Sequence, residues 1–215
     1  MEARRKTFDL IAGYTQEAID RKPEKQSSLL GEAGDWGAGE VLDHIVRVMN
    51  SLAEEMKTLI ELKMRGLKAE VTRGIADYDV SPAFLPKQMM PMAEPFFRLG
   101  NQLASSFLPS SVRESMIRSR SFPIRNPSQW LPEEGRSIEE LRADLETSMT
   151  KLEAMVESHA NIDYDELVLD HSVFGRHTLP QLLEVLTLHE EWHHPDIERV
   201  LSAETAQDQD WEKTV

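Results

Sequence analysis

Cysteine is absent from the 215 residues, and with it go disulfide stapling, thiolate metal sites and cysteine nucleophiles. Long apolar runs are missing as well. No stretch approaches the roughly 20 apolar residues of a membrane span. The opening Met1-Glu2-Ala3-Arg4-Arg5-Lys6 leads into Thr-Phe-Asp-Leu and not into an unbroken apolar core, so no secretory signal is read. Basic residues are the scarcer charge: 24 Lys and Arg stand against 38 Asp and Glu, for a formal net charge of −14. Phosphate backbones and anionic lipid surfaces repel such a balance, so neither nucleic acid nor membrane is expected as a partner. The expected address is the cytoplasm. What remains is 40% hydrophobic and 29% charged, ordinary for a soluble globular protein.

Proline is unevenly spent. Eight of the eleven fall between Gly66 and Arg136, and the stretches on either side read as helices. A first helix is expected from about Ala3 to Asp20, with Phe8, Ile11, Tyr14 and Ala18 at spacings of three and four. Gly37 followed by Glu40 has capping-box spacing, without a side-chain acceptor at the cap. From there Val41, Ile45, Val48, Leu52, Met56 and Leu59 form a stripe that predicts a long amphipathic helix to about Arg65. Ser137 and Glu140 make a full capping box for a third helix carrying Leu141, Leu145, Met149, Leu152 and Val156. Thr178-Leu179-Pro180-Gln181 caps a fourth, running through Leu182, Leu186, Ile197 and Val200.

No convincing strand pattern is seen, so the expected fold class is all-α, a four-helix bundle in one domain over residues 1–202. Residues 66–136 form a long proline-rich insertion between helices 2 and 3, with short helices expected around Phe96–Leu103 and Ser111–Arg118. Within it Arg113, Arg118, Arg120 and Arg125 face only Glu114, either a solvated loop or an anion-binding wall. The 203–215 tail is polar, acidic and expected to fray.

The seven histidines carry the chemistry. His189 and His193 are four apart, so their rings share one helix face, and that face also holds Leu182 and Val200. Two imidazoles aimed into a bundle interior each need a partner. Neutral imidazole suits Zn, Ni, Fe or Cu, and a metal needs a third ligand. His44, at the edge of the second-helix stripe, is the candidate, and three ligands with one open position is the pattern of catalytic zinc. The competing reading is a hydrogen-bonded core cluster. His194, about 100° round from His193 and before Pro195, reads as peripheral, and His159 sits near a helix end. His171 and His177 lie in the expected 161–177 loop, as neighbours of the site or as ordinary loop residues. His189-Glu190-Glu191-Trp192-His193 also spells the zinc-protease pattern with Glu190 as base, but an α+β context is lacking. A di-iron site fails on spacing.

Three segments resemble the DinB-like proteins, a group that includes YfiT-like metal-dependent hydrolases and bacterial thiol-dependent S-transferases. Trp36-Gly37-Ala38-Gly39-Glu40-Val41-Leu42-Asp43-His44 is similar to their W-S-x-x-E-x-x-x-H second-helix opening. Val173-Phe174-Gly175 with Thr178-Leu179 resembles the approach to their fourth helix, and His189 to His193 resembles their final H-x-x-x-H. The sequence departs from the pattern at Gly37, where Ser is usual, at Ser172, where Pro is common, and at Trp192, where a further His is frequent. Pro195 is expected to kink the last helix.

The resemblance implies an up-down-down-up bundle, often a homodimer, with a divalent metal held by His44, His189 and His193. Zn is the leading ion, with Ni or Fe as alternatives. It also implies metal-dependent hydrolysis or thiol-dependent transfer on a small-molecule substrate. With no cysteine in the chain, a low-molecular-weight thiol would have to come as co-substrate. The alternative is a non-catalytic metal-binding or interaction module with the same fold.

Overall fold

In the computed structural model the described residues are 2–23, 35–78, 81–82, 86–107, 124–172 and 175–212. Of these, 76, 78, 81–82, 87, 102–107, 124–125 and 203–212 are described by backbone alone. The Ser111–Arg118 helix and the arginines at 113, 118 and 120 lie outside the described residues, as does the side chain of Arg125.

The apolar stripes do what their spacing predicts. Helix α1 is Glu2–Leu10, α2 is Gln16–Asp20 and α3 is Ala38–Met64, whose Val41, Ile45, Val48, Met56 and Leu59 are all buried. A short α4, Ile75–Tyr78, and α5, Met90–Phe107, follow within the proline-rich stretch. Then come α6, Ile138–Ser158, and α7, Leu179–Glu212. Helix α3 packs against both α6 and α7, α1 packs against α7, and α2 packs against α3. Leu141 and Leu145 of α6 and Ile197 of α7 are fully enclosed between them. Each such side chain contributes about 1.5–3 kcal/mol relative to exposure.

The caps are equally legible. Ser137 Oγ accepts from the Glu140 N–H at 3.2 Å, and Glu140 Oε2 accepts from the Ser137 N–H at 3.1 Å. At Gly37 and Thr178 only the return arm exists: Glu40 Oε2 accepts from the Gly37 N–H (2.8 Å) and Gln181 Oε1 from the Thr178 N–H (2.9 Å).

The single first helix expected over 3–20 is instead two. Gly13 adopts φ +82°, a left-handed turn that ends the first piece, and Thr15 Oγ1 accepts from the Ala18 N–H to cap the second. The spacing reads straight through the break because Ile11 and Ala18 are buried on both sides of it. At the other end, α7 continues across Pro195 and through the expected tail to Glu212.

The largest departure is a sheet. Strands β1 (Glu70–Arg73), β4 (Val168–His171) and β5 (Gly175–Thr178) lie in the order β1-β4-β5, with β1 parallel and β5 antiparallel to β4. A second ladder pairs the two-residue β2, Ser81–Pro82, with β3, Ile124–Arg125. These strands escape pattern reading for a physical reason. They are at most four residues long, and His171 and His177 occupy buried positions where alternation calls for apolar residues. The strand β1 also takes a parallel partner far along the chain, which no local signal announces. The expected 161–177 loop therefore holds β4 and most of β5. In the insertion, α5 covers the expected 96–103 helix and leaves Met92, Phe96 and Leu99 exposed.

Candidate metal centre

The helix repeat puts His189 and His193 one turn apart on α7, and α3 brings His44 opposite them. Their ring centroids form a near-equilateral triangle: 5.1 Å from His44 to each of the others, and 4.8 Å between His189 and His193. One ring nitrogen from each lies within 4.8 Å of the others, and His44 Nε2 is 3.2 Å from His189 Nε2. Two nitrogens on one tetrahedral zinc, each about 2.05 Å from it, are about 3.3 Å apart, so this pair already stands at chelating separation. His44 and His193 are buried, whereas His189 is half-buried and gives the triangle a side toward solvent.

The outer nitrogens decide which lone pairs face inward. The Trp130 carbonyl, at the end of the 3-10 turn Ser128–Trp130, lies 2.7 Å from His44 Nδ1. A carbonyl only accepts, so Nδ1 carries the proton and Nε2 presents its lone pair to the centre. Asp196 Oδ2 lies 3.1 Å from His193 Nδ1 and sets that ring the same way. Carbonyl and carboxylate partners on the far nitrogen are what orient histidine ligands in metal sites. Burial, reinforced by the neighbouring His193, pushes the His44 imidazole down to about 4. The ring is therefore neutral, the form that binds metal. Trp36 packs 4.9 Å from His44 and Trp192 lies 6.5 Å from His189, ring centre to ring centre. A donor set of three clustered imidazoles, two of them oriented by far-side acceptors, fits a divalent ion of the zinc, nickel or iron type.

Three carboxylates close to these residues in sequence, Glu40, Asp43 and Glu190, are engaged elsewhere. Glu40 binds the Gly37 N–H and Lys22 Nζ (2.7 Å). Asp43 accepts from the Glu133 N–H (2.7 Å), Arg136 Nη1 (2.7 Å) and Arg47 Nε (2.6 Å). Its carboxyl is held below the ordinary range even though burial opposes the charge, because these donors outweigh the burial. Glu190 faces α1, where Arg4 and Thr7 hold it. The protease spelling therefore lacks its base at the triangle.

His194 corrects the peripheral expectation. It is buried, with Nε2 3.0 Å from Thr7 Oγ1, because α1 covers the flank of α7 that the wheel leaves outside the stripe. His171 and His177 sit buried on β4 and β5, outside the three-nitrogen cluster. Asp196 and Trp130 were missed in the sequence. The i, i+3 spacing of His193 and Asp196 signals the first. The second acts through its backbone and leaves no signal.

Three clustered imidazoles on a mostly helical scaffold define a three-histidine site able to hold a divalent ion. The family model of the DinB superfamily matches residues 1–197, and the chain belongs to that superfamily. No curated protein and no solved structure shows a significant match to the chain. Among the described residues no helix is long and apolar enough to cross a membrane.

Proposed function

We propose that this chain is a metal-dependent enzyme of small-molecule chemistry, a thiol-dependent transferase ahead of a hydrolase. The up-down-down-up helix order belongs to the same reading, supported by α3 lying against both α6 and α7. The observation that carries the proposal is the orientation of the triangle: far-side acceptors aim His44 and His193 inward, while Glu40, Asp43 and Glu190 are committed to other partners. His44, His189 and His193 would hold a divalent ion, which would supply Lewis acidity that lowers the pKa of a small donor. A base on the protein is then dispensable if the donor is acidic, and a thiol is far more acidic than water. That favours transfer over hydrolysis. The thiol comes from a small molecule, since the chain has no cysteine. The half-buried His189 side leaves the small molecule a way in, and Trp36 shields the His44 side from water.

The test is elemental analysis of tag-free protein beside the H44A/H189A/H193A triple variant. About one equivalent of zinc, nickel or iron in the wild type alone is expected of a site built from three protein ligands. Low-molecular-weight thiols paired with electrophiles are then screened for turnover. No metal in either protein, after reconstitution, overturns the reading and leaves three core histidines. Metal without turnover of any thiol pair or hydrolysable ester would make the chain a metal-binding module instead.

A further inference from the structure

Asp43 and His44 are consecutive on α3, about 100° apart around the helix axis, yet both reach the same stretch of chain. His44 donates to the Trp130 carbonyl at 2.7 Å, and Asp43 accepts from the Glu133 N–H at 2.7 Å. The stretch is closed on itself by the Trp130 N–H donating to the Pro127 carbonyl (2.9 Å) and the Leu131 N–H to the Ser128 carbonyl (3.3 Å). Its far end is tied down by Arg136, which donates to Asp43 Oδ1 (2.7 Å) and to Asp144 Oδ2 of α6 (2.6 Å). Arg47 adds a third tie, with Nε on Asp43 (2.6 Å) and Nη2 on Glu133 Oε2 (3.1 Å). Asp43 is 1% exposed and receives donors from three residues, which is more than helix packing requires.

We infer that Asp43 is a positioning residue for the metal centre. By anchoring residues 130–136 to α3 it fixes the Trp130 carbonyl, and that carbonyl fixes the tautomer and tilt of His44. Beyond the single 3-10 turn Ser128–Trp130, residues 131–136 have no helix or sheet ladder to hold the Trp130 carbonyl in place. The three donors on Asp43 supply that rigidity. The inference rests on His44 being a ligand for its consequence in metal affinity, while its structural claim, control of the His44 tautomer, stands separately.

The experiment compares wild type, D43N, R136Q and, as a control for plain destabilisation, L152A, a buried α6 position outside the network. Three readouts are taken: nitrogen-15 NMR of the imidazoles without metal, zinc affinity by chelator competition, and thermal melting. The wild type is expected to show His44 protonated at Nδ1. In D43N the amide offers an N–H where the carboxylate accepted, so the His44 signals are expected to shift toward the mixed-tautomer pattern. Zinc affinity should fall about 10–100-fold, the usual scale for losing an orienting partner. R136Q moves the same readouts in the same direction by less, and it decides the question if D43N does not fold. L152A lowers the melting temperature and leaves the tautomer unchanged. A folded D43N or R136Q with wild-type His44 signals overturns the inference. If the wild type binds no zinc, the metal reading fails, and the tautomer comparison alone still decides the role of Asp43.

Discussion

Arg4 of α1 and Glu190 of α7, separated by 186 positions in sequence, form a two-point ion pair in the interior. Arg4 Nε lies 2.8 Å from Oε1 and Nη2 lies 3.0 Å from Oε2, with both side chains almost fully enclosed. Thr7 Oγ1 donates to the same Oε1 at 2.6 Å, and the guanidinium also reaches the Leu145 carbonyl of α6. The pair docks α1 beside the turn of α7 that presents His189 and His193. Glu190 thus serves the scaffold.

Replacing Glu190 with glutamine tests that assignment against the zinc-protease spelling. Removing one partner leaves a buried guanidinium uncompensated, which costs about 3–5 kcal/mol. E190Q is expected to unfold at clearly lower denaturant with metal stoichiometry intact. Unchanged stability together with abolished turnover would return Glu190 to the chemistry.

Asp196 calls for the opposite signature. Its carboxylate touches His193 Nδ1 at 3.1 Å from the same helix, so that contact ties no second element to α7. D196N should weaken metal binding by about 10–100-fold while leaving the melting of the metal-free protein nearly unchanged. Chelator competition measures the first and calorimetry the second. Equal metal affinity in D196N would remove Asp196 from the site.

Acid should destabilise the metal-free protein in a defined window. Burial is the main cause that pushes both His44 and His171 down to about 4; at His171 the Arg98 guanidinium adds to it and Asp77 opposes it. Unfolded imidazoles titrate near 6.5. Above that pH both rings are neutral in either state and the stability is fully present. Between 6.5 and 4 the unfolded chain takes up protons that the folded rings refuse. Each ring then removes about 1.4 kcal/mol per pH unit. Asp43, held below its ordinary range, begins to matter only under about pH 4. Denaturant melts from pH 7 to 4.5 should slope accordingly, and H171Q should remove one ring's share. An H171Q slope equal to wild type would mean that His171 titrates normally in the fold.

How much of this was legible depends on whether a signal is local. The α3, α6 and α7 stripes, the Ser137 box and the His189/His193 spacing are all written within a turn or two, and the structure carries each of them. His44 is legible because it sits on the edge of such a stripe. The Gly13 break was hidden because apolar spacing ran through it. The sheet was hidden because its buried positions carry His171 and His177 and its parallel strand comes from the insertion. Arg4 with Glu190, and Trp130 with His44, are contacts between distant segments, one made by backbone alone, and nothing in a single sequence announces them.

Gly37 shows how a family pattern and a particular chain come apart. The DinB-like pattern places serine at this helix cap, and serine caps helices better than glycine does by a few tenths of a kcal/mol. Gly37 has φ −72°, a conformation open to any residue, so backbone freedom is not what keeps it. The reason is contact: a Cβ at position 37 would lie 2.7 Å from the Arg21 carbonyl oxygen and 3.4 Å from that of Ile19. Those are backbone atoms in the last turn of α2 and just past it, and they cannot swing aside as a side-chain tip would. G37S is therefore expected to destabilise, by about 1–3 kcal/mol as for other forced insertions into packed sites, despite improving the cap. Because Glu40, Asp43 and His44 follow on the same helix, the displacement should also weaken zinc binding. Denaturant melts and chelator competition on G37S and G37A separate the terms. Both variants carry the Cβ, but only serine brings the capping oxygen, so both should fall below wild type with serine the less damaged. A G37S variant more stable than wild type would mean that the 19–21 backbone yields at little cost and that capping governs this helix end.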